Sequence, residues 1–436
     1  MIYDKIKSNT KLPFHMPGHK RNTQMLGDDL PYDIDITEIK GFDNLHSPSG
    51  ILLELNNKLN KLYNAKRSYA LVNGSTVGIL AAVNSIAKEG DTILMARNSH
   101  KSVYNAVEIA KANVEYVLPE YDEFGIAKGI TAEQVNSKIN DSIKLVIMTS
   151  PTYEGVESEV DVICNIAHKR NIPVLIDAAH GAHLFDSYHN ADIVIRGLHK
   201  TLPALTQCAA ANIYGNLVDP KQFEIKLSMF ETSSPSYVLL SSIEKCVEFI
   251  NGEKFDEYYK RLNDFYSIIL NNLKLLKYDD IGKLVVFTGY TSITGYELAD
   301  MLRDNNIEPE MATQDYIIAL TSVCDRISNL NELKIVLEKI DKTLNKGDYT
   351  PNIITQLPKK VYNSFEIDND IIAVDLKDSI GKVSAEYIWA YPPGIPIIVP
   401  GEEISKEIAE YIINNKQTDF QSTYGLLTQK IYCKKV

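Results

Sequence analysis

The chain has few cysteines, a single tryptophan and no long hydrophobic run. Its five cysteines in 436 residues are widely spaced and odd in number, so we interpret them as reduced packing residues rather than as a disulfide framework. No segment offers the roughly 18 uninterrupted apolar residues of a membrane span, and the first residues lack the apolar core of a signal peptide. These absences predict a soluble protein in a reducing, cytoplasmic setting.

Positive charge is also scarce. The chain has 45 Lys and Arg against 57 Asp and Glu, a formal net charge of -12, which disfavours nucleic acid and anionic membrane as partners and leaves small cationic molecules acceptable. No arginine occurs after Arg326. A hydrophobic fraction of 44% with 23% charged residues is typical of a globular protein with a large core.

Short apolar strands alternate with helices between about residues 69 and 214. Strands separated by helices of about 10 to 15 residues indicate crossover units and a mostly parallel sheet. The sequence therefore predicts an α/β protein with a second, smaller α+β domain. The predicted parts are an N-terminal arm and helix (1–65), a large α/β domain (66–222), a helical linker (223–280) and the C-terminal α+β domain (281–436).

Two neighbouring strands of this pattern end in residues of opposite charge. Asp177 ends one apolar run, and Lys200 follows the next, 191–195. Such a pair can hold pyridoxal phosphate, with the lysine bound to its aldehyde and the carboxylate paired with its ring nitrogen. A solvated lysine that opens a helix is the ordinary alternative for any single lysine.

Other strand ends supply groups that suit the same cofactor. Asn73-Gly74-Ser75-Thr76 lies where a strand gives way to a helix, so its amides and hydroxyls could bind a phosphate, although Ser75 and Thr76 could equally be helix caps. His100 follows the run 93–96 and could lie flat on a pyridine ring. The polar turn 149–155 could line a substrate pocket or be a plain turn.

The segment 177–183 has a second interpretation. Asp177, His180 and His183 at short spacing resemble a metal site, with His189 as a further ligand. We rank this below the cofactor interpretation because no glutamate-bearing metallohydrolase helix pattern is present. His183 is then a packing residue.

Taken together, the ordered motifs resemble the Orn/Lys/Arg decarboxylases, basic amino acid decarboxylases of fold type I that use pyridoxal phosphate. The motifs span residues 16 to about 402 and are therefore far more specific together than singly. They are Met16-Pro17-Gly18-His19-Lys20, Asp35-Ile36-Thr37-Glu38, Asp43-Asn44-Leu45-His46, Asn73-Gly74-Ser75-Thr76, Asn98-Ser99-His100-Lys101-Ser102, Ser150-Pro151-Thr152-Tyr153, Asp177-Ala178-Ala179-His180-Gly181-Ala182-His183, the run from His199 to Gln207 and Pro392-Pro393-Gly394-Ile395-Pro396.

The resemblance implies a role for each matching residue. Lys200 is similar to the lysine that links to the cofactor, Asp177 to the partner of its ring nitrogen, and His100 to the stacking residue. His199 resembles a histidine that contacts phosphate and substrate, and His180 resembles one near the ring. Gly74, Ser75 and Thr76 are implied to bind the phosphate. The segment 232–237, with Ser234, resembles one that reaches the cofactor of a neighbouring subunit, so a dimer is expected.

The chain departs from the family pattern at two positions. Many relatives have serine where this chain has Gly197, and glutamate where it has Ala178. Loss of the serine hydroxyl is expected to weaken cofactor affinity, so Gly197→Ser is expected to tighten it. The chain begins almost directly at the Pro-Gly-His-Lys motif, so neither the wing domain of the large acid-stress members nor their decameric assembly is expected.

Three hypotheses remain: a basic amino acid decarboxylase, another pyridoxal phosphate enzyme such as an aminotransferase or lyase, and a non-catalytic binding protein. The first is favoured, because aminotransferases usually bind the substrate carboxylate with an arginine of the C-terminal domain and this chain has no arginine after Arg326. An arginine elsewhere in the chain could substitute. Arginine, lysine and ornithine are not separated. Candidate carboxylates for the substrate side chain are Glu154, Glu310 and Glu402, each of which could equally be a solvated surface residue. The Pro392-Pro393-Gly394 turn could shape the pocket or stiffen a loop.

Overall fold

The computed structural model describes most of the chain. The described residues are 2–250, 252–351, 353–354, 356–368, 370–391, 394–415, 418–424 and 430–435. Pro392 and Pro393 of the predicted pocket turn lie outside these ranges.

The α-helices follow the apolar periodicity of the sequence, as in α3, which buries Leu52, Leu55 and Leu59 on one face. In chain order the helices are α1 (Ile2–Lys7), α2 (Thr23–Leu26), α3 (Ile51–Leu62), α4 (Gly74–Ile86), α5 (Lys101–Ala110), α6 (Ala132–Lys138), α7 (Val160–His168), α8 (Leu198–Thr201), α9 (Pro220–Phe230), α10 (Tyr237–Phe249), α11 (Gly252–Phe265), α12 (Gly295–Arg303), α13 (Ile327–Asp341) and α14 (Lys406–Asn414).

The strands are short and mostly apolar. In chain order they are β1 (Arg67–Leu71), β2 (Thr92–Ala96), β3 (Asn113–Val117), β4 (Ile143–Thr149), β5 (Val174–Ala178), β6 (Ile193–Arg196), β7 (Ala209–Ile213), β8 (Lys274–Leu276), β9 (Lys283–Phe287), β10 (Met311–Ala312), β11 (Tyr316–Leu320), β12 (Ile371–Asp375), β13 (Ile388–Ala390), β14 (Ile395–Ile398), β15 (Phe420–Ser422) and β16 (Lys430–Lys434).

The large sheet has the strand order β1-β7-β6-β5-β4-β2-β3. Strands β5 and β6 pair in parallel, as do β2 and β3, whereas β7 runs antiparallel to both β1 and β6. Every residue of β5 is buried, as expected for a strand covered on both faces of a parallel sheet. The predicted mostly parallel α/β sheet is confirmed.

The chain divides into two compact units. The first unit comprises Met1–Ala87, Lys144–Ile147 and Val160–Phe255, and the second comprises Lys88–Ile143, Met148–Glu159 and Asp256–Val436. The four-part division expected from the sequence stays a prediction.

The second unit contains smaller antiparallel sheets, with strand orders β10-β11-β9-β8, β12-β16 and β14-β13-β15. Two apolar clusters lie within it. One is built on α14 and includes Ile404, Ile408 and Ile431. The other joins Ile126 to Phe287 and is flanked by partly buried tyrosines. The C-terminal part is therefore α+β, as predicted.

Helix α6 is an element that the sequence analysis did not predict. It is only seven residues long, and a capping box stabilises its first turn, since the Thr131 hydroxyl accepts from Gln134 N–H while the Gln134 side chain accepts from Thr131 N–H. So short a helix gives little periodic signal.

Among the described residues, no helix combines the length and the apolar character needed to cross a membrane. The five cysteines are thiols, four of them buried and Cys324 exposed.

Candidate active site

Strands β5 and β6 bring the two charged residues of the predicted cofactor site to one edge of the sheet. Asp177 pairs in register with Ile195, and the chain then passes through Gly197 into α8, which carries Lys200. Because parallel neighbours end at the same edge of a sheet, side chains at the ends of two such strands can lie close together there. Both residues belong to the first unit.

Lys200 lies against an imidazole and within the field of a buried carboxylate. Its Nζ is 2.8 Å from His180 Nε2. Asp177 is 3% exposed and accepts a hydrogen bond from Ala179 N–H at 3.1 Å. Burial raises the pKa of the Asp177 carboxyl, and the Lys200 charge and the Ala179 bond offset this only in part. The carboxylate is thus desolvated and suited to a further cationic partner.

His199 is held by the strand that follows it. Its Nδ1 lies 2.9 Å from the Cys208 carbonyl oxygen, and because a carbonyl only accepts, Nδ1 carries the proton. Burial lowers the pKa of His199, and the charge of Lys200 lowers it further, against the opposing effect of the Cys208 bond. The ring is therefore neutral near pH 7, with Nε2 as a proton acceptor.

The start of α4 offers backbone amides to an anion. The helix begins at Gly74, whose φ of +77° suits glycine. Asn73 occupies the cap position but makes no side-chain cap bond, because its Oδ1 accepts from Thr232 N–H at 3.1 Å. The interpretation of Ser75 and Thr76 as caps is therefore wrong. Their first-turn amides have no acceptor among the described residues.

The segment around Thr232 is tied to two other sequence motifs of the first unit. Besides donating to Asn73, Thr232 presents its carbonyl to His46 Nε2 at 3.0 Å, and the Tyr237 hydroxyl donates to the Asp43 carbonyl. Ser234 is exposed and donates its N–H to Thr232 Oγ1 at 3.4 Å. The motifs 43–46, 73–76 and 232–237, far apart in the chain, therefore form one bonded group.

Glu231 is a residue of this region that sequence reasoning missed. It is buried, its Oε1 accepts from Val72 N–H at 2.8 Å, and its Oε2 has no partner among the described residues. Burial raises the pKa of Glu231 to about 7. A single glutamate at the end of a helix gives no sequence signal for such an environment.

The two departures from the family pattern lie at this edge. A Cβ added to Gly197 would come within 2.7 Å of the Ala179 carbonyl oxygen, so the glycine is required by the close approach of that peptide. Ala178 ends β5 fully buried. Nothing in the structure explains the absence of a glutamate there.

His100 belongs to the second unit, where it caps α5. Its Nδ1 accepts from Ser102 N–H at 3.2 Å and lies 2.8 Å from the Ser102 hydroxyl, so the ring is fixed and Nε2 carries the proton of the neutral form. Lys101 N–H donates to the Gly394 carbonyl. The PPG motif, where it is described, thus borders this histidine.

The candidate substrate carboxylates of the second unit differ in their surroundings. Glu154 and Glu310 line one cavity. Glu402 instead accepts two hydrogen bonds from Arg97, at 2.8 and 2.9 Å. Its charge is therefore already compensated within the protein. Glu154 and Glu402 are buried, so for these two the interpretation as solvated surface residues is wrong.

The metal interpretation has no support in the geometry. Within the described ranges no three His, Cys, Asp or Glu side chains are arranged as metal ligands. His189 instead packs against the Tyr214 ring, with centroids 5.3 Å apart.

The first unit fits pyridoxal phosphate in three respects. Lys200 supplies an amine, Asp177 a desolvated carboxylate for a ring N–H, and Ser75 with Thr76 the unsatisfied amides for a phosphate. These groups would hold the cofactor; the roles of individual residues remain proposals.

Comparison with known proteins agrees with this fit. The family model for the Orn/Lys/Arg decarboxylase major domain matches residues 3–278, and that for the C-terminal domain matches residues 344–422. The chain is 32% identical to the uncharacterized protein YaaO of Bacillus subtilis (90% of this chain, 89% of the relative) and 30% identical to arginine decarboxylase of the same organism (94% and 91%). Its fold matches the crystal structure of the Francisella novicida lysine decarboxylase LdcF with a TM-score of 0.83 at 18% identity, over 99% of this chain and 80% of that one. The chain belongs to the Orn/Lys/Arg decarboxylase family.

Proposed function

We propose that the protein is a cytoplasmic, pyridoxal phosphate-dependent decarboxylase of a basic amino acid, which releases carbon dioxide and the corresponding amine. One observation carries the proposal: in a member of this family, Lys200, His180 and the buried Asp177 occupy one sheet edge of the first unit. Among the three basic amino acids we propose arginine, since the Bacillus subtilis relative at 30% identity over 94% of this chain is named arginine decarboxylase.

Each residue has a role that follows from its surroundings. When bound, pyridoxal phosphate supplies an aldehyde that condenses with amines and a ring that accepts an electron pair. Lys200 provides the amine that holds the cofactor until the substrate replaces it. Asp177, buried and short of hydrogen bonds, keeps a proton on the ring nitrogen. Ser75 and Thr76 hold the phosphate through their amides.

Carbon dioxide loss leaves an electron pair on the substrate Cα, which must then take up a proton. Lys200 and His199 are adjacent in the chain and can supply it. Lys200 can supply the proton directly as an ammonium. His199 is neutral, with its own proton on Nδ1 facing the Cys208 carbonyl, so its Nε2 must take up a proton before it can pass one on. We propose that His100 supports the face of the cofactor ring.

We also propose that the protein acts as a homodimer. The N-terminal arm of the first unit exposes several large apolar side chains, with Leu12 79%, Phe14 95% and Met25 82% exposed. Apolar side chains grouped this way mark interaction surfaces. Ser234 is also exposed and is proposed to reach the partner's cofactor.

The test is carbon dioxide release from arginine, lysine and ornithine, measured separately on protein reconstituted with pyridoxal phosphate. Release from arginine and a visible absorbance lost in Lys200→Ala are expected. A coloured protein inert to all three amino acids would point to another reaction of the same cofactor. Normal release from Lys200→Ala would overturn the proposal.

A further inference from the structure

The second unit contains a cavity of about 660 Å³ whose polar lining is dominated by carboxylates and phenols, and which we name the acidic cavity. Its volume is in the range typical of small-molecule sites. The residues that define it here are Glu154, Glu310, Asp315, Tyr121, Tyr316 and Tyr411.

Glu154 is the most buried carboxylate of the acidic cavity. It is 9% exposed, and its Oε1 accepts from the Tyr316 hydroxyl at 2.9 Å. No lysine or arginine pairs with it among the described residues. Burial raises the pKa of Glu154, and the hydrogen bonds from Tyr316, from its own backbone and from Thr152 offset this only in part.

Two other buried carboxylates of the same unit have a cation, whereas Asp341 and Glu386 accept from several backbone amides instead. Glu402 pairs with Arg97 at 2.8 Å, and Asp280 pairs with Lys283 at 2.9 Å. A buried carboxylate is costly without such a partner. Since Glu154 faces a cavity instead of an internal cation, its missing partner is expected to come from a ligand.

A second carboxylate stands at the exposed side of the acidic cavity. Glu310 is exposed, and its Oε1 accepts from the Tyr153 hydroxyl at 2.5 Å, which fixes its position. Apolar side chains that include Met311, Ile395 and Ile397 also line the cavity. A buried carboxylate, an apolar wall and an exposed carboxylate suit a molecule with cationic ends and a methylene chain between them.

The phenols add a favourable surface for a cation. Burial raises the pKa of Tyr121, Tyr316 and Tyr411, so these rings are neutral near pH 7. Neutral aromatic faces attract ammonium and guanidinium groups, the more so where water is excluded.

The arginines of the lining are already neutralised. Arg97 pairs with Glu402, and Arg303 pairs with Asp300 and Glu308. A ligand that carries its own carboxylate would therefore meet no uncompensated cation in the lining. The cavity is therefore expected to bind an amine more tightly than the amino acid from which that amine is formed.

We propose that the acidic cavity binds an aliphatic amine or guanidine that carries no carboxylate, the chemical class formed when a basic amino acid loses carbon dioxide. The identification of that class as the enzyme's own product rests on the proposed function. The presence of a cation site does not rest on the proposed function, because it follows from Glu154, Glu310 and the phenols.

Binding is tested by isothermal titration calorimetry on the full-length holoenzyme after borohydride has fixed the cofactor onto Lys200, so that an added amine cannot react with its aldehyde. The ligands are agmatine, cadaverine and putrescine, each compared with arginine, lysine or ornithine. At least one amine is expected to bind, and its parent amino acid about tenfold or more weakly. Equal binding of amine and amino acid would overturn the proposal, as would no binding of any amine.

Charge variants locate the site. Glu154→Gln is expected to weaken amine binding about tenfold or more. Glu332→Gln removes the same charge from an exposed position on α13 outside the cavity lining and is expected to leave binding unchanged. An undiminished affinity in Glu154→Gln would refute the site.

The two proposals fail separately. Amine binding that depends on Glu154, in a protein that decarboxylates none of the three amino acids, would preserve this inference and overturn the proposed function. Decarboxylation without Glu154-dependent amine binding would do the reverse.

Discussion

The two units surround their buried carboxylates differently. In the first unit Asp177 lies in the field of Lys200, with two imidazoles nearby, so charges of both signs and two imidazoles share one edge. In the second unit Glu154 faces a cavity with phenols, the arginines of the lining pair with other carboxylates, and no lysine or arginine among the described residues pairs with Glu154. Groups of both signs can exchange protons and form bonds with a reactant, whereas a buried carboxylate without a cation can bind a cationic ligand. The first arrangement suits chemistry and the second suits binding.

The largest expected effect is that of Asp177→Asn on turnover. The amide keeps the shape but cannot hold a proton on the ring nitrogen, so kcat is expected to fall on the order of 10²- to 10³-fold. Decarboxylation kinetics at saturating cofactor measure this, with the first-unit surface variant Asp161→Asn as the control. If Glu154→Gln lowered kcat as much, the distinction between a reaction site and a binding cavity would break down.

The next effect concerns stability in the second unit. Glu402→Gln leaves the Arg97 guanidinium buried without its counter-ion. Burial alone would lower the pKa of Arg97, but the Glu402 carboxylate, together with Tyr104 and Tyr116, more than offsets this. A loss of about 3 kcal/mol in the free energy of unfolding is expected, measured by urea denaturation.

Glu154→Gln sharpens the comparison, because it removes a buried charge that has no cation. It is expected to leave the free energy of unfolding unchanged or raised, in contrast to Glu402→Gln. Equal destabilisation by both variants would show that Glu154 has a cationic partner within the protein and would contradict the contrast.

The sequence predicted the parts of the site that depend on local order. Asp177 lies at the end of one strand of a crossover pattern and Lys200 follows the next. Because parallel strands end at the same edge of the sheet, their proximity could be inferred. The antiparallel direction of β7 could not be inferred, because the alternation of apolar residues does not encode strand direction. Arg97 and Glu402 lie 305 residues apart, and Glu231 meets Val72 across 159. Such pairs depend on tertiary packing that no local pattern records.

A smaller effect is expected from pH at Glu231. Its pKa of about 7 in the folded protein exceeds the ordinary value, so the folded form holds a proton that the unfolded chain releases. The resulting stabilisation is present below about pH 4.5 and is lost as pH rises to about 7.

Glu231→Gln should remove that pH dependence, which is worth a few kcal/mol at most, at about 1.4 kcal/mol for each pKa unit. Urea unfolding at pH 5 and pH 8 for both proteins measures it. The slope is the readout, since the glutamine amide adds a buried donor of its own. A parallel slope in the variant would mean that Glu231 is ionised in both states.

The smallest expected effect is that of Gly197→Ser, for which two consequences oppose each other. The added hydroxyl resembles one that relatives use on the phosphate, which alone would tighten cofactor retention. The added Cβ, however, would approach the Ala179 carbonyl oxygen to 2.7 Å, and this peptide leads directly into His180, which contacts Lys200. Such crowding costs about 1 kcal/mol or more. Gly197→Ala carries the crowding without the hydroxyl, so dialysis of both variants against cofactor-free buffer separates the two effects. Retention in the order serine, then glycine, then alanine would show that the hydroxyl outweighs the crowding, whereas equal losses in serine and alanine would show that this edge has adapted to glycine and cannot use the family's serine.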